Sequence, residues 1–457
     1  MQERRNLPQM EVIQELLLPV TRTTMWMWVA FIILGTILAA FGFAIAWMVY
    51  WGIGVTGLNR PGMWGFMIVN FVFWIGISHA GVMISAILRL TQAEWRRPVT
   101  RAAEVMTMFS LMTALTYPLI HTGRPWRTLY WVFPYDFWRG IFPDVRSALV
   151  MDPSAVITYL TGTILFIYIT TVPDIAMMRD RATGWRRPLY RVLALGWQNG
   201  ERQWVIQTAT GFLLAALMLS IFVSVHSIVS WDFSFSLDPV WHTSVWAPYF
   251  VIGAVHSGVS AAVTLMVLMR WMFGFDKYIR EEHFDAIGRL LVVVATAWVF
   301  FFMLDVFFAL FNQDPRETAV MKMRFEQWPY TLMLVLIFVF GYFIPVPIWM
   351  FRKFRRNIKL MFWTSIMVNI GMWSERYWLV IPGLERKYEW TFDWNYYRPG
   401  IVEITLIVGS FALVPFLFMC FSKIFPPVSI WEEKEGQYFL QEIKVGKASI
   451  PAIVREF

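Results

Sequence analysis

Apolar residues in this chain are gathered into ten runs, and polar residues are concentrated between them. Each run is long enough to cross a bilayer as an α-helix, which needs about 20 residues. The runs are solid rather than alternating, so they favour helices over the short alternating strands of a membrane β-barrel. The predicted helices cover residues 26–50, 64–88, 102–120, 154–175, 205–229, 246–270, 286–311, 329–351, 360–381 and 401–421.

Two of these runs carry a histidine inside a similar seven-residue sequence pattern, which we call the histidine frame. The first frame is IGISHAG at residues 75–81, around His79, and the second is IGAVHSG at residues 252–258, around His256. An ionisable group this deep in a bilayer costs several kcal/mol unless it faces a partner or a water-filled cavity. The repeat therefore predicts a duplicated bundle with a polar interior, as in carriers, pumps and quinone-reactive subunits.

Composition and charge agree with a multi-pass membrane protein. The chain is 58% hydrophobic and only 15% charged, far from the balance of a soluble domain. Its net charge is +8, and loops on one side carry 18 Lys and Arg against 11 on the other. The positive-inside rule then places both termini in the cytoplasm. The basic clusters are explained as topology signals, so no nucleic-acid partner is predicted.

The sequence predicts that this chain holds no haem, no iron–sulfur cluster and no metal. Its single cysteine, Cys420, cannot hold an iron–sulfur cluster or form an intrachain disulfide. Cytochromes with two haems repeat histidines about fourteen residues apart on facing helices. Here only His242 and His256 have that spacing, and His242 lies in a predicted loop. Ligation of one haem by His79 with His256 stays as a minor alternative.

The outer side carries a histidine and an aspartate at neighbouring helix ends. His121 ends the predicted third helix, and Asp152 stands at the start of the fourth. Because an outer loop joins these helices, the two side chains are expected to meet. An imidazole and a carboxylate there could hydrogen-bond a quinone-like ring and accept its protons on oxidation. The alternative is structural, with His121 opening a polar loop and Asp152 capping a helix.

Other ionisable residues inside the predicted helices are candidates for a proton path. His79 and His256 serve either as relays or as packing groups that bond backbone carbonyls. Glu375 and Arg376 are expected to neutralise each other, whereas Asp174 is either salt-bridged near Arg179 and Arg181 or a proton entry point. The candidate proton-path residues are His79, His256, Asp174, Asp305, Glu104, Glu375, Glu403 and His226.

Several stretches together resemble the NrfD/polysulfide-reductase family of integral membrane subunits, and more closely its ten-helix members in alternative complex III. The match is dense over residues 59–181 and thinner to about residue 420. The motifs are NFVFWIGISHAG at 70–81, ISAIL at 84–88, AAEVMT at 102–107, HTGRPW at 121–126, and Pro173-Asp174 followed by RDR at 179–181.

The resemblance implies an all-α polytopic fold of two four-helix bundles flanked by the first and tenth helices. It implies a quinol pocket on the outer face lined by His121 and Asp152, with Arg124 of the same motif. It also implies partners: an iron–sulfur subunit above that pocket, multihaem cytochrome c subunits, a second NrfD-like membrane subunit, and membrane lipids. One departure is Met67, where several relatives carry an acidic residue.

On these grounds the chain is expected to oxidise quinol, including menaquinone, in a bacterial inner (plasma) membrane and to pass electrons to the iron–sulfur partner. Proton translocation is a further expectation. The alternatives are the sister subunit, as a proton-conducting or assembly scaffold, and a secondary transporter, which explains the outer His–Asp pair poorly. The expected segments are an N-terminal cytoplasmic part at 1–25, the first flanking helix and loop at 26–63, bundles at 64–229 and 246–382, the last flanking helix at 401–421, and a cytoplasmic tail at 422–457.

Overall fold

The structure is a computed structural model that describes residues 9–58, 63–127, 148–236, 238–385, 396–438, 440–445 and 448–453. Parts of the predicted N-terminal segment, of the outer loops and of the tail lie outside these residues. Helices dominate the first half of the chain. They are α1 (Gln9–Leu16), α2 (Leu18–Thr21), α3 (Met25–Trp51), α4 (Gly65–Val82), α5 (Leu88–Leu90), α6 (Arg97–His121), α7 (Ala148–Arg181), α8 (Arg186–Leu193) and α9 (Glu201–Ser234).

The second half is also helical and ends in a two-stranded antiparallel hairpin. Single π-helical turns follow α4 (Met83–Ile87) and α13 (Val339–Phe343). The remaining elements are α10 (Trp246–Phe273), α11 (Glu281–Phe311), α12 (Pro315–Glu326), α13 (Tyr330–Phe338), α14 (Pro345–Met350), α15 (Arg352–Arg355), α16 (Ile358–Glu385), α17 (Ile401–Ser422), α18 (Ile430–Tyr438), β1 (Leu440–Val445) and β2 (Ala448–Ile453).

Nine helical stretches within the described residues are long and apolar enough to cross a membrane. This confirms the prediction of an all-α polytopic membrane protein, but the predicted count of ten is not exact. The predicted ninth helix, at 360–381, is present as α16. It does not count as a span by composition because residues such as Asn369, Glu375 and Arg376 make it more polar than the others.

Helix α4 forms the centre of the structure, and all of its side chains except Phe66 and Ile68 are buried. It packs against α6 and α10, while α7 packs against α9 and α3 packs against α17. Large apolar side chains of the outer helices point away from the protein, among them Ile32 on α3 and Leu213 on α9. An apolar outer surface is what the hydrocarbon of a bilayer requires.

The two histidine frames face each other across the contact between α4 and α10. A Cβ on Gly76 would lie 3.2 Å from the Ser257 hydroxyl oxygen, and one on Gly258 would lie 2.8 Å from the backbone nitrogen of Ala80. Only glycine allows backbones to approach this closely, as is common between membrane helices. The internal repeat thus supplies the small residues by which the two halves of the chain meet.

The first and last described helices, α1 and α18, lie on one side, which we call the terminal face. Helix α18 packs against α1 and against the start of α6. The Lys423 ammonium donates to the carbonyl of Pro19 at 2.6 Å, which ties the end of α17 to α2. His121 lies at the other end of α6, so it belongs to the opposite face.

Candidate functional site

His121 is the last residue of α6 and lies flat against Trp64. Their ring centroids are 4.4 Å apart and their planes differ by 12°. The next turn passes through Gly123, whose φ of +66° suits glycine and brings the turn against Ile53. The Nδ1 atom of His121 is buried and has no hydrogen-bond partner among the described residues. Stacking on Trp64 thus fixes the ring of His121, and its Nδ1 atom stays available for a hydrogen bond.

Asp152 is the fifth residue of α7, so it lies inside the helix rather than at its N-cap. Its side chain is buried, and its Oδ1 atom has no hydrogen-bond partner within the part of the chain that the structure describes. Helices α6 and α7 pack against each other, as expected from their short separation in sequence. No hydrogen bond joins His121 to Asp152 in the described region. Each of the two side chains therefore keeps a buried polar atom that makes no hydrogen bond in the described structure.

A third residue at this face, Asp232, is not among the predicted site residues. Asp232 lies near the end of α9, and its Oδ1 atom is also buried without a partner in the described structure. The charges of Asp232 and Asp152 act on each other, so the two carboxyl groups are neighbours. The predicted fifth helix ends at Val229, which places Asp232 in a loop. An acidic residue one turn beyond an apolar run was the signal that could have found it.

Arg124 is not gathered into this group. It lies in the turn after His121 with its side chain exposed. It makes no hydrogen bond or ion pair with any residue that the structure describes. Its predicted part in quinol binding therefore stays a prediction without a contact to support it.

In the interior of the first half, His79 faces a second imidazole, that of His226 on α9. The ring centroids are 4.4 Å apart and the rings are nearly perpendicular. The Nδ1 atom of His79 lies 2.7 Å from the carbonyl oxygen of Ile75, which leaves Nε2 without a partner in the described structure. Both ring nitrogens of His226 lack partners among the described residues. Two imidazoles with unused nitrogens thus lie side by side in the core.

His256 has a different environment, although its frame repeats that of His79. Its Nε2 atom lies 3.1 Å from the carbonyl oxygen of Gly341, in the π-helical turn after α13. Such turns disturb the backbone ladder and leave carbonyl groups available. The ring stacks on Trp298 and meets Trp349 edge-on. The ring neighbours of His256 are thus indoles rather than a second imidazole, although its Nδ1 atom is also buried without a partner in the described structure.

Glu375 and Arg376 on α16 form the predicted ion pair, with Nη1 of the arginine 3.3 Å from the carboxylate. Glu375 also accepts hydrogen bonds from the Tyr249 hydroxyl and, at 2.7 Å, from the Trp298 indole. The guanidinium lies over the ring of Phe250, 4.7 Å from its centroid. This pair is almost completely buried, and Oε2 of Glu375 and both terminal nitrogens of Arg376 make no hydrogen bond in the described structure.

Two further candidates have structural partners. Asp305 accepts a hydrogen bond from the Trp246 indole at 2.8 Å. Glu403, at the start of α17, accepts from the backbone nitrogens of Gly57 at 2.6 Å and Gly400 at 2.7 Å. A carboxylate at a helix start that bonds free backbone N–H groups stabilises that start. These contacts fix the outer loops to the helices.

On the terminal face, Asp174 and Glu104 are buried beside arginines. Asp174 pairs with Arg101 rather than with the nearby Arg179 or Arg181 that the sequence suggested. It also accepts backbone hydrogen bonds from Ile430 and Trp431 at 3.0 Å, and so holds the start of α18. Glu104 accepts a hydrogen bond from the Ser85 hydroxyl. The Asp174 contacts show anchoring of the tail by a buried ion pair.

The tail closes over an arginine cluster through Glu432. This carboxylate lies 2.8 Å from Arg89 and 3.0 Å from Arg96, and Arg97 donates to its backbone carbonyl at 2.6 Å. Although burial opposes ionisation, Arg96 and the neighbouring arginines together lower the pKa of Glu432 to about 2. Burial raises the pKa of the adjacent Glu433 to about 7. The ionised Glu432 therefore holds α18 against the start of α6.

We expect the tail to loosen from the bundle in acid. A carboxyl group whose pKa is lowered on docking stabilises the docked state above its ordinary pKa. That stability is lost as the pH falls from about 4.5 towards 2. Hydrogen exchange in α18, corrected for intrinsic rates, is expected to speed up over this range. Exchange that stays slow at the acid end would contradict this role for Glu432.

A Glu432→Gln variant provides the control for this experiment. It leaves several buried arginines without their carboxylate, and breaking such a pair costs about 3–5 kcal/mol. Exchange in α18 should then be fast at every pH and should lose most of its acid dependence. Glu433 does not confuse this result, because below its ordinary pKa it is protonated whether the tail is docked or free.

No cluster of three or more histidine, cysteine, aspartate or glutamate side chains suited to a metal ion occurs in the described parts of the chain. His79 and His256, the minor haem alternative, make contacts with different partners. The expected absence of haem, iron–sulfur cluster and metal stays a prediction.

The comparisons with known proteins agree with this architecture. The model of the family "Polysulphide reductase, NrfD" matches residues 54–386, so the chain belongs to that family of multi-pass membrane proteins. A Halobacterium salinarum protein, named as a membrane subunit of dimethyl sulfoxide reductase, is 22% identical over 84% of this chain and 87% of its own length. A Mesobacillus selenatarsenatis protein, named as a subunit of selenate reductase, is 21% identical over 82% of this chain and 88% of its own length. The chain is thus an integral membrane subunit of a family whose members interact with quinones in electron-transfer complexes.

Proposed function

We propose that this chain is the quinol-oxidising membrane subunit of an alternative complex III. The observation that carries the proposal is a set of three side chains on the face opposite the termini, His121, Asp152 and Asp232. Asp232 neighbours Asp152, whereas no hydrogen bond or ion pair joins His121 to either aspartate among the described residues. Each of these residues holds a buried polar atom without a partner in the described structure. Polar atoms buried in this way are costly and are kept where a ligand or water completes their bonds.

The chemistry of quinol oxidation fits such a group. A quinol that becomes a quinone loses two electrons and two protons from its two hydroxyl groups. In the proposed site the imidazole of His121 accepts one proton and a carboxyl group, that of Asp152, accepts the other. Asp232, beside Asp152, gives that proton a second carboxyl group on its way out. The electrons go to an iron–sulfur cluster of a partner subunit.

The proposal assigns the interior imidazoles to proton movement. The rings of His79 and His226 lie 4.4 Å apart between centroids and share no hydrogen bond in the described structure, so a proton passes between them through a bridging water molecule. Glu104 and Asp174 are buried nearer the terminal face, which the distribution of basic residues assigns to the cytoplasm. The chain is then expected in a bacterial plasma membrane, with quinol oxidised on the outer side.

A second candidate function is favoured by the names of the relatives. One is named as a membrane subunit of a dimethyl sulfoxide reductase, and the other as a subunit of a selenate reductase. In this alternative the same site oxidises quinol, and the electrons reach a catalytic reductase subunit instead of multihaem cytochromes.

Purification of the native complex through a tag on this chain tests the proposal. Alternative complex III predicts multihaem cytochrome c subunits, an iron–sulfur subunit and a second NrfD-like membrane subunit in the preparation. A reductase subunit without multihaem cytochrome would support the second candidate. Isolation of the chain with no redox partner would overturn both candidates and favour a transporter.

The predicted absence of haem is tested on the chain after removal of its partners. An absorption spectrum of the separated chain is expected to show no Soret band, and a Soret band that stays with this chain would contradict the prediction.

A further inference from the structure

A cavity of about 650 Å³ opens on the terminal face, away from the proposed quinol site. Its walls come from the end of α7, the loop before α9, the first turn of α9, and the tail helix α18, with Ile13 of α1 at one edge. Distant parts of the chain therefore meet around it. None of its lining residues belongs to the proposed quinol site or to the interior imidazoles.

The floor of this cavity is apolar and its sides are aromatic. Pro173, Ala176 and Met177 of α7 form the floor. Trp204 packs edge-on against Trp197 with ring centroids 5.1 Å apart, and its ring lies tilted against that of Trp431 at 5.4 Å. Tryptophan is enriched where a membrane meets water, because one part of its ring is apolar and the N–H group is polar.

The rim of the cavity carries positive charge that is not neutralised. Arg179 pairs with Asp180 at 2.8 Å, and Glu435 pairs with Arg97 at 3.0 Å. The other two rim cations, Arg181 and Lys434, form no close ion pair among the described residues, although Arg181 is near enough to Asp180 for their charges to interact. Within the part of the chain that the structure describes, Arg181 donates to the carbonyl of Met177 and to the sulfur of Met10. Both cations can therefore bind an added anion.

The helix beside the cavity indicates that it lies at the surface of the membrane. Helix α8 packs against α7 and is followed by Trp197 of the cavity wall. Its segment presents exposed apolar side chains next to arginines. The exposed apolar side chains are Trp185, Val192 and Leu195, and the arginines are Arg186, Arg187 and Arg191. Short basic amphipathic helices of this kind lie in the plane of the interface and are attracted to anionic lipids.

We propose that this cavity binds an anionic phospholipid from the leaflet on the terminal face. The phosphate lies between Arg181 and Lys434, because guanidinium and ammonium groups form charge-assisted hydrogen bonds with phosphate oxygens. One acyl chain runs over the floor at Ala176 and Met177, and the tryptophans enclose the glycerol region. Basic pockets between membrane helices on the cytoplasmic side bind such headgroups. The bound lipid would hold the tail against α7.

The test uses the purified complex, delipidated in neutral detergent and titrated with phosphatidylglycerol under native mass spectrometry. Phosphatidylcholine and inorganic phosphate serve as the other probes. We expect the complex to retain phosphatidylglycerol and to bind neither phosphatidylcholine nor inorganic phosphate. Equal binding of phosphatidylcholine would overturn the role of charge, and binding of inorganic phosphate alone would show an ion site rather than a lipid site.

A pair of variants with equal loss of charge makes the test specific. The double variant R181Q/K434Q is expected to weaken phosphatidylglycerol binding by about tenfold to thirtyfold. The double variant R352Q/K353Q removes two exposed cations from α15, outside the cavity, and should leave binding unchanged. Equal weakening in both would show general attraction to surface charge and overturn the proposed site. The comparison of probes on the native protein decides the matter if a variant does not assemble.

Discussion

Replacing His121 with alanine is expected to lower the rate of quinol oxidation by about 10²–10⁴-fold, the usual loss for a positioned acid–base group. In the proposed site this imidazole accepts one of the two protons that the quinol releases. Alanine cannot accept it, so the proton must leave to a less well placed group. The rate is measured on the purified complex with a quinol analogue and an electron acceptor.

The fold of the His121→Ala variant is expected to be retained. His121 makes no hydrogen bond within the described residues, so its removal leaves no buried partner unsatisfied. The change does remove the ring that stacks on Trp64. Subunit stoichiometry of the purified complex therefore has to be checked beside the rate.

His242→Ala is the matched control for this experiment. His242 lies just before α10, whereas His121 ends α6. His242 is exposed and has one long hydrogen-bond contact, 3.4 Å from Nδ1 to the carbonyl oxygen of Ser236. Its replacement should leave quinol oxidation unchanged. Turnover of His121→Ala close to that of this control, with all subunits present, would disprove the site.

The placement of the helices could be predicted from the sequence because it depends on a local property. Each membrane-spanning run must satisfy its own backbone hydrogen bonds and present apolar side chains to lipid. All ten predicted runs are helical in the structure, from α3 to α17. The ends were less certain, because polar residues continue a helix beyond the apolar run. That is how Asp232 on α9 was left out of the site.

The arrangement of side chains around each candidate could not be predicted, because it depends on contacts between distant residues. Glu432 meets Arg96, which lies 336 residues earlier in the chain, and no local pattern indicates that pairing. His79 and His256 have the same sequence frame, yet one faces an imidazole and the other faces a backbone carbonyl. The partner of His79 lies on α9, and that of His256 lies in the turn after α13. Neither element is part of the repeated sequence frame.

This difference between the two histidines leads to the second large expected effect. Quinol oxidised near the outer face releases its two protons there in any case. Additional protons reach that side only if the chain conducts them from the terminal face. The His79–His226 pair has three ring nitrogens without partners in the described structure, which is what a proton relay requires.

His79→Gln and His226→Gln are expected to abolish this additional proton release while quinol turnover in detergent is retained. Glutamine keeps a hydrogen-bonding group, and at position 79 its amide can still donate to the carbonyl of Ile75. It cannot take up and pass on a proton at neutral pH. Proton release per quinol is measured in sealed vesicles that contain the complex, with a pH indicator on the outer side.

His256→Gln is the control for the proton experiment, because that imidazole bonds the carbonyl of Gly341 and packs between tryptophans. We expect its proton release to equal that of the native complex. If His79→Gln and His226→Gln also release protons at the native ratio, the pair is a packing element. If His256→Gln alone loses proton release, conduction runs through the second half of the chain instead. Both results would contradict the relay. A ratio of two protons per quinol in the native complex itself would show a subunit that oxidises quinol without pumping.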